Sequence, residues 1–224
     1  DLSPAIRYAR NKTEARILNG SYGPNDTWHA TFEALGYQGI ITTPEISEAN
    51  AYRGFVNAGG ILVFAAGNSF QNAPNLASNP TGAGFLPFIK PDNSAIVGAV
   101  NGAYRDENGN VLATADYSAL QPQTIVVASV DQNNVISFSN RCGVAAAWCM
   151  VAPGENIFTT TIGGGYTTVS GTSFAAPQVS GAIAILKQEF PNLTAAQIVS
   201  RLLTTATDLG DPGIDVIYGN GLLN

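Results

Sequence analysis

The sequence predicts an α/β domain built on a mainly parallel sheet. Helical patterns alternate with short, continuous hydrophobic runs, as expected of strands covered on both faces. Two polar, Gly-flanked turns, Gly20-Ser21-Tyr22-Gly23 and Gly67-Asn68-Ser69, follow such runs, at the strand ends where parallel sheets collect function. The longest helical pattern, Ser173 to Phe190, is apolar on more than one face, which places it in the centre of a domain.

Taken in order, Ser3-Pro4 reads as a helix cap followed by Pro in the first helical position, opening a short helix to about Asn11. Arg16 to Asn19 reads as a strand, stopped by the turn at Gly20. Residues 25–43 carry mixed signals. From Pro44 to Ala58, Ile46, Ala49, Tyr52 and Val56 recur at helical spacing, and Gly59-Gly60 ends that helix. Ile61 to Ala66 is a buried-strand run. Residues 70–92, rich in Asn, Pro and Gly, read as a long surface loop, and Ser94 to Val100 as another strand. The stretch 103–123 is polar and turn-forming. Thr124–Val130 and Val135–Ser139 flank Asp131-Gln132-Asn133-Asn134 and suggest a hairpin. Pro191 stops the long helix. Thr194-Ala195-Ala196-Gln197 is a capping box that opens a last helix through about Thr205.

Composition narrows the function classes. Charged residues make up 12% of 224, about half the usual ~25%, while hydrophobic residues make up 45%, which excludes a disordered chain. Ten Lys and Arg, scattered, against sixteen Asp and Glu argue against a general nucleic-acid partner. No apolar run approaches the ~20 residues of a membrane-spanning helix. Cys142 and Cys149 are close enough in sequence to close a small disulfide loop, worth on the order of 2–3 kcal/mol in the chain-entropy picture; two buried free thiols are the alternative. The bridge is favoured, and with it an oxidising compartment.

Two positions invite chemistry. Gly171-Thr172-Ser173 leads directly into the long helix, whose first N–H groups lack internal partners and whose dipole is positive there. A Ser at that point can attack a carbonyl while its own N–H faces the oxyanion that forms. The plainer reading of Ser173 is a helix N-cap. Asn68 ends a buried strand in Ala65-Ala66-Gly67-Asn68, where its amide can serve as a second oxyanion donor or simply as a turn residue.

These segments carry a family resemblance. Gly171-Thr172-Ser173-Phe174-Ala175-Ala176-Pro177-Gln178-Val179-Ser180-Gly181 resembles the nucleophile motif of subtilisin-like serine proteases. Ala65-Ala66-Gly67-Asn68 is similar to their oxyanion-asparagine motif, and Asn19-Gly20-Ser21-Tyr22-Gly23 to the segment that pairs with substrate. Val151-Ala152-Pro153-Gly154 and Tyr218 to Asn224 also match, in the family's order. Residues 25–43 and 70–92 match least.

The resemblance implies a three-layer α/β/α, subtilisin-like fold, truncated at the N-terminal side, with residues 1–224 forming the C-terminal portion of a peptidase domain. It implies hydrolysis of a polypeptide substrate through an acyl-enzyme on Ser173, with Asn68 and the Ser173 N–H as the oxyanion hole. Ser21, Tyr22 and Gly23 would line the substrate groove with Ala65, Ala66 and Gly67. The Cys142–Cys149 pair resembles the autotransporter branch, which implies a secreted or bacterial cell-surface protein. No cofactor is implied. Calcium is frequent in the family, but no Asp-rich ligand loop is visible. Four Asn-x-Ser/Thr matches, at Asn11, Asn19, Asn25 and Asn192, mean little in a bacterial protein.

The family's Asp and His motifs precede the substrate-binding strand, and the chain begins after that point. The single His, His29, follows that strand, with Ala30 where the His motif has Gly, and reads as a loop residue. Asp26 and Asp116 read as solvated carboxylates. The chain is therefore expected to carry the nucleophile half of a protease and to lack the base half, whether by truncation, natural shortening or nicking. A bare sheet edge is expected as well, covered by an N-terminal segment or by dimerisation. The competing function is a non-catalytic module that holds peptides along the Ser21-Tyr22-Gly23 strand. A sedolisin-type carboxyl-serine peptidase has a similar Ser motif, but that family places an Asp in the oxyanion hole, which Asn68 argues against.

Overall fold

The computed structural model describes residues 2–22, 43–72, 74, 77–88 and 116–224. Four strands form a parallel sheet: β1 (Ile17–Gly20), β2 (Ile61–Ala65), β3 (Thr124–Val130) and β4 (Cys149–Pro153), side by side in that order. Their residues are mostly Val, Ile, Leu and Ala, and β3 is buried along its whole length. A two-stranded antiparallel ribbon, β5 (Ile157–Thr160) and β6 (Tyr166–Val169), stands apart from this sheet.

The two-residue strand period sorts side chains to opposite faces. Leu62 and Phe64 of β2 pack with Ile6 of α1 (Ser3–Lys12) and with Tyr52, Phe55 and Val56 of α2 (Thr43–Asn57). Ile61 and Val63 turn the other way, joining Ile125, Val127 and Met150 beneath α3 (Thr172–Glu189) and α4 (Ala195–Thr204). The result is the expected helix–sheet–helix layering. The capping box at Thr194 forms: Thr194 Oγ1 accepts from Gln197 N, and Gln197 Oε1 accepts from Thr194 N at 2.8 Å. Residues 218–224 extend the sheet beyond β4, where Val151 pairs in parallel with Leu222.

Several expectations are corrected. Ser3 is not the cap of α1: Leu2 occupies that position, and the Ser3 hydroxyl instead accepts from Ser47 Oγ at 2.9 Å, tying α1 to α2. The 124–139 hairpin does not exist. Both edges of β3 are taken by β2 and β4, so residues 135–139 cannot pair with it as a strand. Asp131 still makes the turn, its Oδ1 accepting from Asn133 N and Val135 N at 2.8 Å each. The stretch 77–88 is not simple surface loop: Ala83, Leu86 and Phe88 are buried through two short 3-10 turns. Finally, α3 buries one side only. Ala175, Ala176, Val179 and Ile183 face the sheet, while Ile185 on the opposite side is 68% exposed. The readings at residues 25–42, 94–100 and 103–115 lie outside the described residues.

The disulfide expectation is met: Cys142 and Cys149 are bonded, with Cα atoms 5.6 Å apart, and both are buried. Among the described residues no helix is long and apolar enough to cross a membrane.

Candidate active site

Parallel register brings the carboxyl ends of β1 and β2 together, with Gly20 opposite Phe64. Gly20 is required by close approach, since a Cβ there would lie 2.6 Å from the Phe64 ring. The N-terminus of α3 meets these strand ends. Gly171, not Ser173, is its N-cap, and Ser173 is the second residue of the helix. The plainer reading of Ser173 as a cap is thereby set aside. Its N–H falls among the first-turn donors that have no intrahelical acceptor. Its hydroxyl is half-buried and 3.5 Å from the Ser21 carbonyl, the limit of hydrogen-bonding distance.

Pro177 shapes this contact. It lies four residues after Ser173 and has no N–H, so the Ser173 carbonyl lacks its usual helical donor. Ser21 Oγ reaches that carbonyl at 3.4 Å. Asn19 Nδ2 donates to Ser21 Oγ at 2.9 Å, and Ser180 Oγ of α3 donates to Asn19 Oδ1 at 3.1 Å. The end of β1 is thus sewn to α3 by four polar side chains and backbone groups.

Asn68 sits on the other side of the helix start. Its Oδ1 accepts from Thr172 N and from Thr172 Oγ1, both at 2.9 Å. The Thr172 hydroxyl, 1% exposed, also accepts from Gly67 N at 3.3 Å. With its carbonyl oxygen fixed on the residue before Ser173, the amide nitrogen is the other hydrogen-bonding group of the Asn68 side chain. Asn68 therefore does more than turn the chain. Ser173 and Asn68, 105 positions apart in sequence, meet across Thr172.

Tyr22 follows Ser21 and is 40% exposed. Its hydroxyl forms a short hydrogen bond with the hydroxyl of Tyr52, which is fully buried on α2 and stacks edge-on against Phe64. Burial pushes both phenols above their ordinary pKa, Tyr52 the further, and Glu48 adds to the effect, while the hydrogen bond to Tyr52 partly offsets the rise at Tyr22. Ala65 and Gly67 are half-buried. Ala66 is fully buried, its N–H donating to Val127 O and its carbonyl accepting from Thr81 N, so its side chain belongs to the core rather than to a groove. Gly23, His29 and Asp26 lie outside the described residues. Asp116 is exposed and structural: its Oδ1 accepts from Ser118 N at 2.9 Å and Ser118 Oγ at 2.6 Å. Among the described residues no three His, Cys, Asp or Glu side chains gather as a metal site.

Sequence reasoning missed three supporting residues. Thr172 and Pro177 lie inside the quoted motif, where only the serine drew notice. Asn140 lies far from it, and its spelling in Ser139-Asn140-Arg141 carries no signal.

The described geometry is that of an α/β domain presenting a serine hydroxyl at a helix N-terminus, on the carboxyl edge of a parallel sheet. The chain belongs to the subtilase family, which it matches over residues 1–221. It is 34% identical over 176 residues to serotype-specific antigen 1 of Mannheimia haemolytica, covering 75% of this chain and 15% of that protein. It is 32% identical over 170 residues to the autotransporter lipoprotein NalP of Neisseria meningitidis, 75% and 14%. Subtilisin NAT of Bacillus subtilis subsp. natto is 38% identical over 166 residues, 73% and 42%. The chain therefore spans less than half the length of these relatives. In fold it is similar to the self-cleaved protease domain of PatA, with a TM-score of 0.65 at 23% identity over 100% of this chain and 63% of that one.

Proposed function

We propose that residues 1–224 form the C-terminal portion of a subtilisin-like serine endopeptidase domain. Ser173 is the nucleophile. Its hydroxyl loses a proton to a base supplied from outside this chain, and its oxygen adds to the scissile carbonyl carbon. The Ser173 N–H and the Asn68 amide then hold the tetrahedral oxyanion. Collapse expels the amine, protonated by the same base, and leaves an acyl-enzyme that water hydrolyses. Ser21 and Tyr22, with Gly23, Ala65 and Gly67, flank an extended polypeptide substrate. The contact of Asn68 with the residue preceding Ser173 carries this reading.

The base half is absent from this chain in this reading, which makes the chain alone inactive or very weak, since removal of triad members costs about 10⁴–10⁶ in turnover. Among the described residues β1 pairs on one side only, which supports further polypeptide covering its outer edge, either an N-terminal segment or a second copy. The disulfide, together with relatives named as an extracellular serine protease and an autotransporter lipoprotein, supports a secreted or bacterial cell-surface location. One observation favours a non-catalytic peptide-binding module instead: the described partner of the Ser173 hydroxyl is a carbonyl, which cannot take its proton.

A fluorophosphonate probe separates these. Weak labelling of this chain alone, and strong labelling of the intact polypeptide that is lost in Ser173→Ala, is expected. Strong labelling of this chain alone would overturn the absence of a base. An intact polypeptide that binds peptides yet never labels would establish the binding module.

A further inference from the structure

The Gly67-Asn68-Ser69 turn lies outside regular structure, and Gly67 adopts the left-handed φ of +111°. Such a turn holds an amide in place only if something grips it. Thr172 holds the Asn68 side chain; the backbone on either side is held by Asn140. The backbone N–H of Asn140 donates to Gly67 O at 2.9 Å, and its Oδ1 accepts from Ser69 N at 2.8 Å. The two residues flanking Asn68 are therefore both bound to Asn140. A Cβ at position 67 would come within 3.0 Å of Asn140 Nδ2, so the two segments are in contact.

Asn140 is itself braced. It is 0% exposed, and its Nδ2 donates to Asn79 O at 3.0 Å. The Asn79 side chain accepts from Val144 N at 2.9 Å, inside the loop closed by the Cys142–Cys149 disulfide. Phe70 N donates to Phe138 O at 3.0 Å, and the Arg141 guanidinium lies 4.5 Å over the Phe70 ring. The side chain uses an acceptor and a donor at once, on opposite partners. An Asp carboxylate accepts but has no donor for Asn79 O, and an apolar isostere would leave Ser69 N–H and Asn79 C=O unpaired.

We propose that Asn140 is a positioning residue for the oxyanion site: by holding Gly67 and Ser69 it sets the height and direction of the Asn68 amide, without touching substrate. This rests on the protease reading above. Misplacement by about 1 Å can cost on the order of 10²-fold in turnover, and complete loss of an oxyanion donor about 10²–10³-fold. Asn140→Ala is therefore expected to lower kcat by roughly 10- to 100-fold with KM nearly unchanged.

The test uses the intact polypeptide that carries this chain. It compares wild type, Asn68→Ala, Asn140→Ala and the double variant for kcat and KM on a peptide substrate, with hydrogen exchange followed at the Ser69 amide. The expected result is faster exchange at Ser69 in Asn140→Ala, with β3 amides unchanged, and a double variant no slower than Asn68→Ala. Should circular dichroism show that Asn140→Ala does not fold, Asn140→Asp replaces it and is read on kcat and the double-variant comparison rather than on Ser69 exchange, because it keeps the acceptor for Ser69 and loses the donor to Asn79. Unchanged Ser69 exchange, a loss confined to KM, or a full Asn140 penalty on top of Asn68→Ala would each overturn the proposal. A neutral Asn68→Ala would instead overturn the role of Asn68, and Ser69 exchange would still report whether Asn140 grips the turn.

Discussion

Thr172→Val removes one oxygen and keeps the shape, which makes it a clean probe of the Thr172–Asn68 contact. Two hydrogen bonds go with that oxygen: its donation to Asn68 Oδ1 at 2.9 Å and its acceptance from Gly67 N at 3.3 Å. Each is worth about 1 kcal/mol net, and the Gly67 N–H is left without an acceptor in a half-buried place, so destabilisation of about 2 kcal/mol is expected. Asn68 then keeps one of its two restraints, the Thr172 N–H. If the whole donor is worth about 10²–10³ in turnover, losing half of its fixation is expected to cost about tenfold, or ~1.4 kcal/mol of barrier. Urea midpoints give the first number and kcat of the intact polypeptide the second. Thr172→Ser is the control. It keeps the hydroxyl and loses a buried methyl, about 0.8 kcal/mol of stability, with turnover near wild type. Equal loss of kcat in the Val and Ser variants would refute the reasoning, because the hydroxyl would then be irrelevant to Asn68.

Replacing both Cys142 and Cys149 by Ala is expected to lower stability by about 2–3 kcal/mol from loop closure alone, read as a urea-midpoint shift; a shift under about 1 kcal/mol would mean the loop is already held by its hydrogen bonds. The phenols of Tyr22 and Tyr52 have folded pKa values raised above the ordinary 10.0 by burial. The native state then keeps protons the unfolded chain gives up, so this contribution is intact below pH 10 and is lost as pH rises above it. Thermal midpoints between about pH 9 and 11.5 should fall less steeply in Tyr22→Phe/Tyr52→Phe than in wild type; identical slopes would contradict the raised titration of the hydrogen-bonded pair.

Much of the fold was legible because single residues carried their own physics. Ile61 to Ala65 and Thr124 to Val130 are apolar without alternation, and both are central strands buried on two faces. Thr194 and Gln197 spelled a cap that needs no tertiary partner. What failed needed knowledge of neighbours. Asp131 to Asn134 makes a real turn, yet no hairpin, because whether β3 has an edge to offer depends on strands distant in sequence. Ile185 looked like core for its composition, but a helix face is buried only if another element covers it. Ser3 had the chemistry of a cap, one position too late. At the candidate site, the motif spelling pointed to Ser173 and Asn68, and could not show the partners of Thr172 or the grip of Asn140. Those depend on backbone groups, which look alike in every sequence.

Residues 218–224 lie along the outer side of β4: Leu223 N donates to Val151 O, and Asn220 donates to Cys149 O through both its backbone and its side chain. They are also the last of the described residues to leave the ribosome. Until they dock, β4 has no described partner on that flank. The loop joining Cys142 to Cys149 gains its inner packing at the same moment, since Gly143 N donates to Val216 O and Cys142 N to Ile217 O. The scaffold around the Ser173 helix is thus closed by residues that follow that helix in sequence, so β4 and the disulfide loop reach their final packing only once residues 216–224 have joined them.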